Sequence, residues 1–285
     1  MTSTSPIYKI KDVGFDVNFI AKYDLYLHLH QNHLNICVFD TEENKCILFE
    51  SYDFEKGSNI LECLQHVWEG THFLSAGFWH KVVVVLVGQD FVFIPYEYYN
   101  EDAAVNYLRL NCHFDEKTHD LHHTKHYDLD SVCYFAVEKE IKDWLNSQYT
   151  SVPVMFAHSN SCFIQGLLTE HEDGLSVVIH PENITIALLK DRKIQFVNSF
   201  SYAHQNDLLY FVLFVMDELK LATDATKVKL WGTQSDLYDI RGMLRGYIQD
   251  VQIGERPKLK YGIGFDDSLP GYFAYDLFAG YYLMR

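Results

Sequence analysis

Histidine is the side chain best placed to do chemistry near neutral pH, and this chain carries 15 of them in a suggestive distribution. Between Cys112 and Asp130 stand His113, His119, His122, His123 and His126. Neutral imidazoles bind transition metals, and His119 with His123, or His122 with His126, at i, i+4 would share one face of a helix and could clamp one ion. The segment has no intervening catalytic glutamate of the zinc-protease kind. Its mixture of Asp, Lys and His suits a solvated loop from His113 to Asp130, and on that reading no metal ligands are assigned. A metal-dependent enzyme centred on this segment stays open as an alternative.

A second pair, His30 and His180, sits at equivalent places in two stretches that align at an offset of 150 residues as far as Thr41 and Asp191. The surrounding turns are Leu29-His30-Gln31-Asn32-His33 and Ile179-His180-Pro181-Glu182-Asn183. Paired histidines at strand ends are usually satisfied polar groups, although these two could meet across a cleft. A two-metal nuclease would need clustered carboxylates, and Asp40 has no evident companions. The GxG of LKYGIGFDD, Gly262 and Gly264, lacks the third glycine and the strand-to-helix setting of a dinucleotide loop.

The elements that must position these residues form a β-β-β-α-β pattern that occurs twice, over residues 24–88 and 174–232. Leu25, Leu27 and Leu29 alternate with polar residues, as do Leu34, Ile36 and Val38, so the spacing predicts an antiparallel hairpin turning at Gln31-Asn32. From Ser58 the period changes, and Ile60, Leu61, Leu64, Val67 and Trp68 mark one face of a helix. The β-branched run from Lys81 to Val87 predicts a parallel strand buried on both faces. Strands at 175–181, 183–190 and 193–200, a helix from about Gln205 and a strand at Val228–Trp231 repeat the scheme. Between the copies lie strands at 91–94, 131–137 and 152–156 and helices at 138–149 and 160–169.

Composition sets outer limits. The formal net charge of −16 repels phosphate backbones and anionic membranes, which disfavours nucleic acid as a partner. Apolar runs such as Leu208–Met216 fall far short of the roughly 20 residues that cross a bilayer, so no membrane insertion is expected. The N-terminal MTSTSPIYKIKDVGFDV lacks the apolar core of a signal peptide. The six cysteines, scattered without a CxxC pair, read as reduced core residues of a cytoplasmic protein.

Three antiparallel strands, a helix and a parallel strand, duplicated in one chain, resemble the actin-like ATPase architecture with its ribonuclease H-like lobes. VVVVLVGQDFVFIPYEYYNEDAAVNYLRLN followed by DSVCYFAVEKEIKDWLNSQYTSVPVMFAHSNSCFIQGLL is similar to the middle of the PilM-type pilus-assembly actin-like proteins. The ending YFAYDLFAGYYLMR resembles the helix that closes the same fold by packing back onto the first lobe. Nearly the whole chain takes part, and it is similar to an uncharacterised bacterial family of unknown function with this fold.

The resemblance implies an α/β protein with a first lobe over residues 1–150, closed by a C-terminal helix at about 270–285, and a second lobe over 151–269. In active relatives each lobe's first turn carries Asp-x-Gly, where the carboxylate organises magnesium and the glycine lets backbone amides approach phosphate. Here neither turn has a glycine, and Pro181 removes a donor. The adenosine end, usually Gly-Gly, is reduced to Trp231-Gly232-Thr233-Gln234. His30, Gln31, Asn32, His180, Glu182, Asn183, Gly232 and Thr233 thus mark a degenerate nucleotide cleft with no catalytic residues and no assigned cofactor. PilM-type relatives dock a short peptide segment of a membrane protein, so the resemblance implies a non-catalytic scaffold for a protein or peptide. Degenerate ATP binding without turnover is the other alternative.

Overall fold

The computed structural model of the protein describes residues 5–112, 114–233 and 236–285. The first sheet starts at the edge strand β1 (Tyr8–Lys11) and includes the meander β2 (Tyr23–His30), β3 (His33–Asp40) and β4 (Lys45–Asp53). Alternation sorts the side chains as expected: Leu25, Leu27, Leu29, Leu34, Ile36 and Val38 share one buried cluster, whereas Tyr26 and Cys37 belong to a cluster on the opposite face. β2 is buried along its whole length, so His28 and His30 are carried inward on the Tyr26 face. Helix α1 (Ile60–Gly70) starts where the Asn59 side chain accepts from the Leu61 and Glu62 amides, and it lays Cys63, Leu64 and Val67 on the leucine face. Strand β5 (Lys81–Leu86) then runs parallel to β2, and burial of Val82–Val85 on both faces explains the β-branched run.

A small antiparallel sheet follows, built from β6 (Phe91–Pro95), β7 (His119–His126) and the central β8 (Ser131–Glu138), with helix α2 (Ala104–Asn111) between β6 and β7. Strand β7 corrects the loop expected from His113 to Asp130. Its histidines pack as aromatic rings: His122 lies 5.9 Å from Phe135 and 5.3 Å from Phe156, and His123 lies 5.8 Å from Tyr134. Polarity alone understates that contribution. On a strand, residues i and i+4 are about 13 Å apart, so neither His119 with His123 nor His122 with His126 makes the helical clamp. His113 lies outside the described residues.

At the end of β7 His126 is buried beside Phe93, and burial lowers its pKa to about 4. The folded value lies below the unfolded one of about 6.5, so the unfolded chain takes up the proton first and stability falls as pH drops below about 6.5. Between pH 7 and pH 5 this one group costs about 2 kcal/mol. We expect His126→Phe to lose about that much less stability than the parent chain over the same interval. Paired urea titrations measure it, and identical losses would contradict a buried neutral imidazole.

Helix α3 (Lys139–Gln148) adds Ile141 and Leu145 to the leucine face, and β9 (Val154–His158) joins the first sheet beside β5. Helix α4 (Ser159–Thr169) leads to the second sheet, formed by β10 (Gly174–His180), β11 (Asn183–Lys190), β12 (Lys193–Ser201), β13 (Lys227–Gly232) and β14 (Asp250–Ile253), with helices α5 (Gln205–Glu218) and α6 (Leu237–Leu244) in its crossovers. Its order, β12-β11-β10-β13-β14, repeats the order β4-β3-β2-β5-β9 of the first sheet. This is the expected α/β duplication. The short β15 (Lys260–Tyr261) pairs with β4, and α7 (Phe265–Ser268) and α8 (Tyr275–Met284) close the chain.

Helices α4 and α8 lie between the sheets. Phe163, Ile164, Tyr275 and Ala279 pack into the core of the second sheet, while Cys162, Leu277, Phe278 and Tyr281 pack onto the first. We propose that the lobes divide after His158 rather than near residue 150, because β9 hydrogen-bonds into the first sheet. By the same criterion the return to the first lobe starts at Lys260, ahead of the expected 270. No helix among the described residues is long and apolar enough to cross a membrane.

Candidate functional site

The two copies of the repeat aim their first strands at one point. His28 and His30 leave β2 on the same side, His180 ends β10, and Asp276 enters between them from the first turn of α8. His28 Nε2 lies 3.0 Å and His180 Nε2 3.1 Å from the same oxygen, Asp276 Oδ2. All three side chains are buried, Asp276 completely, with 0% exposure. Burial by itself would raise the Asp276 carboxyl, yet the two imidazoles hold it far below the ordinary carboxylate range. Burial lowers the pKa of His28, and Asp276 offsets only part of that. The contacts continue outward through Asn35, 3.1 Å from His28 Nδ1 and 2.9 Å from His33 Nε2, and from His33 Nδ1 to Asp53.

His30 extends the cluster. Its ring stacks on His180 at 6.3 Å, reaches the Pro181 backbone across the lobes, and is held by burial at a pKa of about 3. The two first turns therefore meet directly. His158 behaves similarly at the end of β9, where burial brings it to about 3 and Nδ1 accepts from the Asn160 amide to cap α4 at 3.2 Å.

Beside this cluster a cavity of about 340 Å³ is lined by His30, Gln31, Gly88, Asp90, His158 and Asn183, among others. No Lys or Arg stands among the described lining residues, which include the acidic Asp90 and Glu138. Of the residues read from the sequence, His30, Gln31 and Asn183 border the cavity, and His180 turns to Asp276. The other four do not line it. Glu182 pairs with Lys56 at 2.5 Å and Asn32 accepts from the Gly57 amide at 3.3 Å. Gly232 donates to the Tyr272 carbonyl at 3.2 Å, and Thr233 donates to the Ile179 carbonyl at 3.1 Å. A Cβ on Gly232 would lie 2.4 Å from the Ile179 carbonyl oxygen, so glycine is explained by close strand pairing. Gln234 lies outside the described residues.

Sequence reasoning missed His28, His158 and Asp276. A signal for Asp276 was present: it is the only charged residue of the apolar stretch YFAYDLFAGYYLM, and a carboxylate in a helix that must be buried needs partners.

Solved structures share this fold. A Bacteroides thetaiotaomicron protein of actin-like ATPase fold and unknown function superimposes with a TM-score of 0.77 at 19% identity, over 84% of this chain and 93% of that one. The PilM–PilN type IV pilus biogenesis complex matches with a TM-score of 0.63 at 12% identity, over 92% of this chain and 98% of that one. No curated protein matches. The chain has the actin-like ATPase fold, and, since the family profile matches residues 12–251, it belongs to the family described as "Protein of unknown function (DUF3822)".

Proposed function

We propose that this protein is a non-catalytic actin-like module of the cytoplasm that holds a protein or peptide partner. The observation that carries the proposal is the filled space between the lobes. Where a nucleotide-binding relative would keep two phosphate turns apart, His30 and His180 stack at 6.3 Å and Asp276 contacts His180. The neighbouring cavity has acidic residues and no cation among its described lining, an unfavourable field for a triphosphate. The similar PilM fold was solved together with PilN, so a fold of this kind can hold a protein partner. The buried free cysteines fit a reducing compartment.

A surface suited to such a partner lies between the edge strands β6 and β12. A groove of about 740 Å³ there is lined by Phe93, Ile94, Leu129, Ile194, Phe196 and Val197. Edge strands carry backbone donors and acceptors that an extended peptide can pair with, while alternate side chains enter apolar pockets.

Two measurements test the reading. Millimolar Mg·ATP should leave the melting temperature unchanged, whereas a ligand at 100 times its dissociation constant would add about 2.7 kcal/mol. Peptides selected from a displayed library should bind the parent chain and lose affinity by at least about tenfold with Phe196→Lys, since losing one buried anchor costs more than about 1.4 kcal/mol. A clear nucleotide shift, together with peptide binding indifferent to Phe196, would sink the proposal.

A further inference from the structure

We infer that His28, His180 and Asp276 form a binding site for one transition-metal dication of the zinc class, which ties the two sheets together through α8. One ligand atom from each of the three lies within 4.8 Å of the others, and both imidazole Nε2 atoms stand 3.0–3.1 Å from Asp276 Oδ2. In a four-coordinate zinc site with bonds of about 2.0–2.1 Å, neighbouring ligand atoms are about 3.3 Å apart. The two nitrogen–oxygen distances are within a few tenths of an ångström of that spacing, and side-chain movement would bring the third pair, now within 4.8 Å, to it. Two imidazoles and a carboxylate suit zinc, cobalt or iron, whereas magnesium and calcium prefer all-oxygen sets.

One further observation points to a cation, and the contacts behind His28 can adapt to it. Asp276 Oδ1 is fully buried and has no hydrogen-bond partner among the described residues. Such a group is costly to leave unsatisfied and marks a place where something else belongs. The adaptation lies in the contacts behind His28. Amide orientation is an assignment, and turning Asn35 about its last side-chain bond keeps the 3.1 and 2.9 Å contacts while reversing their direction. His28 Nδ1 then donates to Asn35 Oδ1, Asn35 Nδ2 donates to His33 Nε2, and His33 Nδ1 donates to Asp53. Every link is satisfied with neutral rings, and the His28 Nε2 lone pair faces the Asp276 carboxylate. With Asn35 as placed, its Nδ2 donates to His28 Nδ1 and His28 Nε2–H donates to Asp276, so the amide turn is the change that would free the Nε2 lone pair for an ion. An outer partner that orients a ligating histidine in this way is the usual support of a metal site.

The three ligands come from β2, β10 and α8, one from each sheet and one from the helix between them. The bound ion would hold the lobes in the closed arrangement, with water in its fourth position. The inference stands whether or not the β6–β12 groove takes a peptide, because the site is separate from it.

The test uses the full chain without a histidine tag, stripped with chelator and dialysed, with Zn²⁺ and Co²⁺ as probes. We expect one equivalent of Zn²⁺ to bind and raise the melting temperature, and Co²⁺ to give the visible bands of a four-coordinate centre. His180→Gln should weaken binding by about 100-fold, the upper end of what losing even an outer partner does. The double variant His122→Ala/His123→Ala, on the partly exposed β7, should keep both signals. The inference is overturned if stripped parent protein shows neither a zinc-dependent shift nor cobalt bands, if His180→Gln binds as tightly as the parent, or if a β7 variant that folds as the parent does loses both signals. The parent cobalt spectrum decides the matter even if a variant folds poorly.

Discussion

Asp276→Ala, measured by urea unfolding at pH 7.5 with chelator present, is expected to destabilise the protein by about 3–5 kcal/mol, the cost of taking a buried carboxylate from the two imidazoles it bonds. The carboxylate is completely buried and lies 3.0 and 3.1 Å from His28 and His180. Its removal strands two imidazole nitrogens in an interior that offers no water, and each unsatisfied polar group costs about 1–3 kcal/mol. It also leaves a small void, because alanine does not reach between the rings. Asp276→Asn keeps the volume and one acceptor oxygen, so its loss should be smaller. Chelation keeps any bound ion out of the comparison. A change of less than about 1 kcal/mol for the alanine variant, the level of an ordinary exposed contact, would mean that the cluster does not hold the lobes together.

The second large effect is expected where α4 crosses α8. A Cβ on Gly166 would lie 2.7 Å from the Ala279 Cβ and 2.8 Å from Tyr275 Cε1, well inside contact distance. Gly166→Val therefore forces two packed helices apart, and overpacking of this kind costs about 1–3 kcal/mol. The poor helix propensity of a β-branched residue does not relieve it. Gly166→Ala is more informative. Its gain in helix propensity, about 1 kcal/mol, opposes the clash, and Ala279→Gly on α8 should relieve part of the clash. We expect a double-mutant cycle for Gly166→Ala and Ala279→Gly to show a favourable coupling of about 1 kcal/mol, within the range for residues in contact. Additive behaviour would show that the helices separate freely, and α8 could not then place Asp276 with the accuracy that the histidine contacts require.

Both expectations rest on α8, and the contrast between that helix and the sheets shows where sequence reading reaches its limit. The strands announce themselves because a strand's side chains alternate about a local axis: Leu25, Leu27 and Leu29 face one cluster, and Tyr26 the other. Burial of Val82–Val85 on both faces follows from the same local logic. Strand β7 escaped because the reading weighed histidine as a polar residue, whereas His122 and His123 pack against Phe135 and Tyr134 as flat rings. The cluster escaped for a different reason. Asp276 lies 248 residues from His28 in the chain, and no local period connects them.

The sequence by itself determined the duplicated β-β-β-α-β plan, the inward faces of its strands and the absence of Asp-x-Gly from both first turns. These are local consequences of side-chain alternation and backbone geometry. Only the tertiary structure decided that His28, His180 and Asp276 meet, that His30 closes over His180, and that Gly232 serves strand pairing at Ile179. Those contacts join elements remote in the chain, and they exist because α4 and α8 must each bury two faces between two sheets.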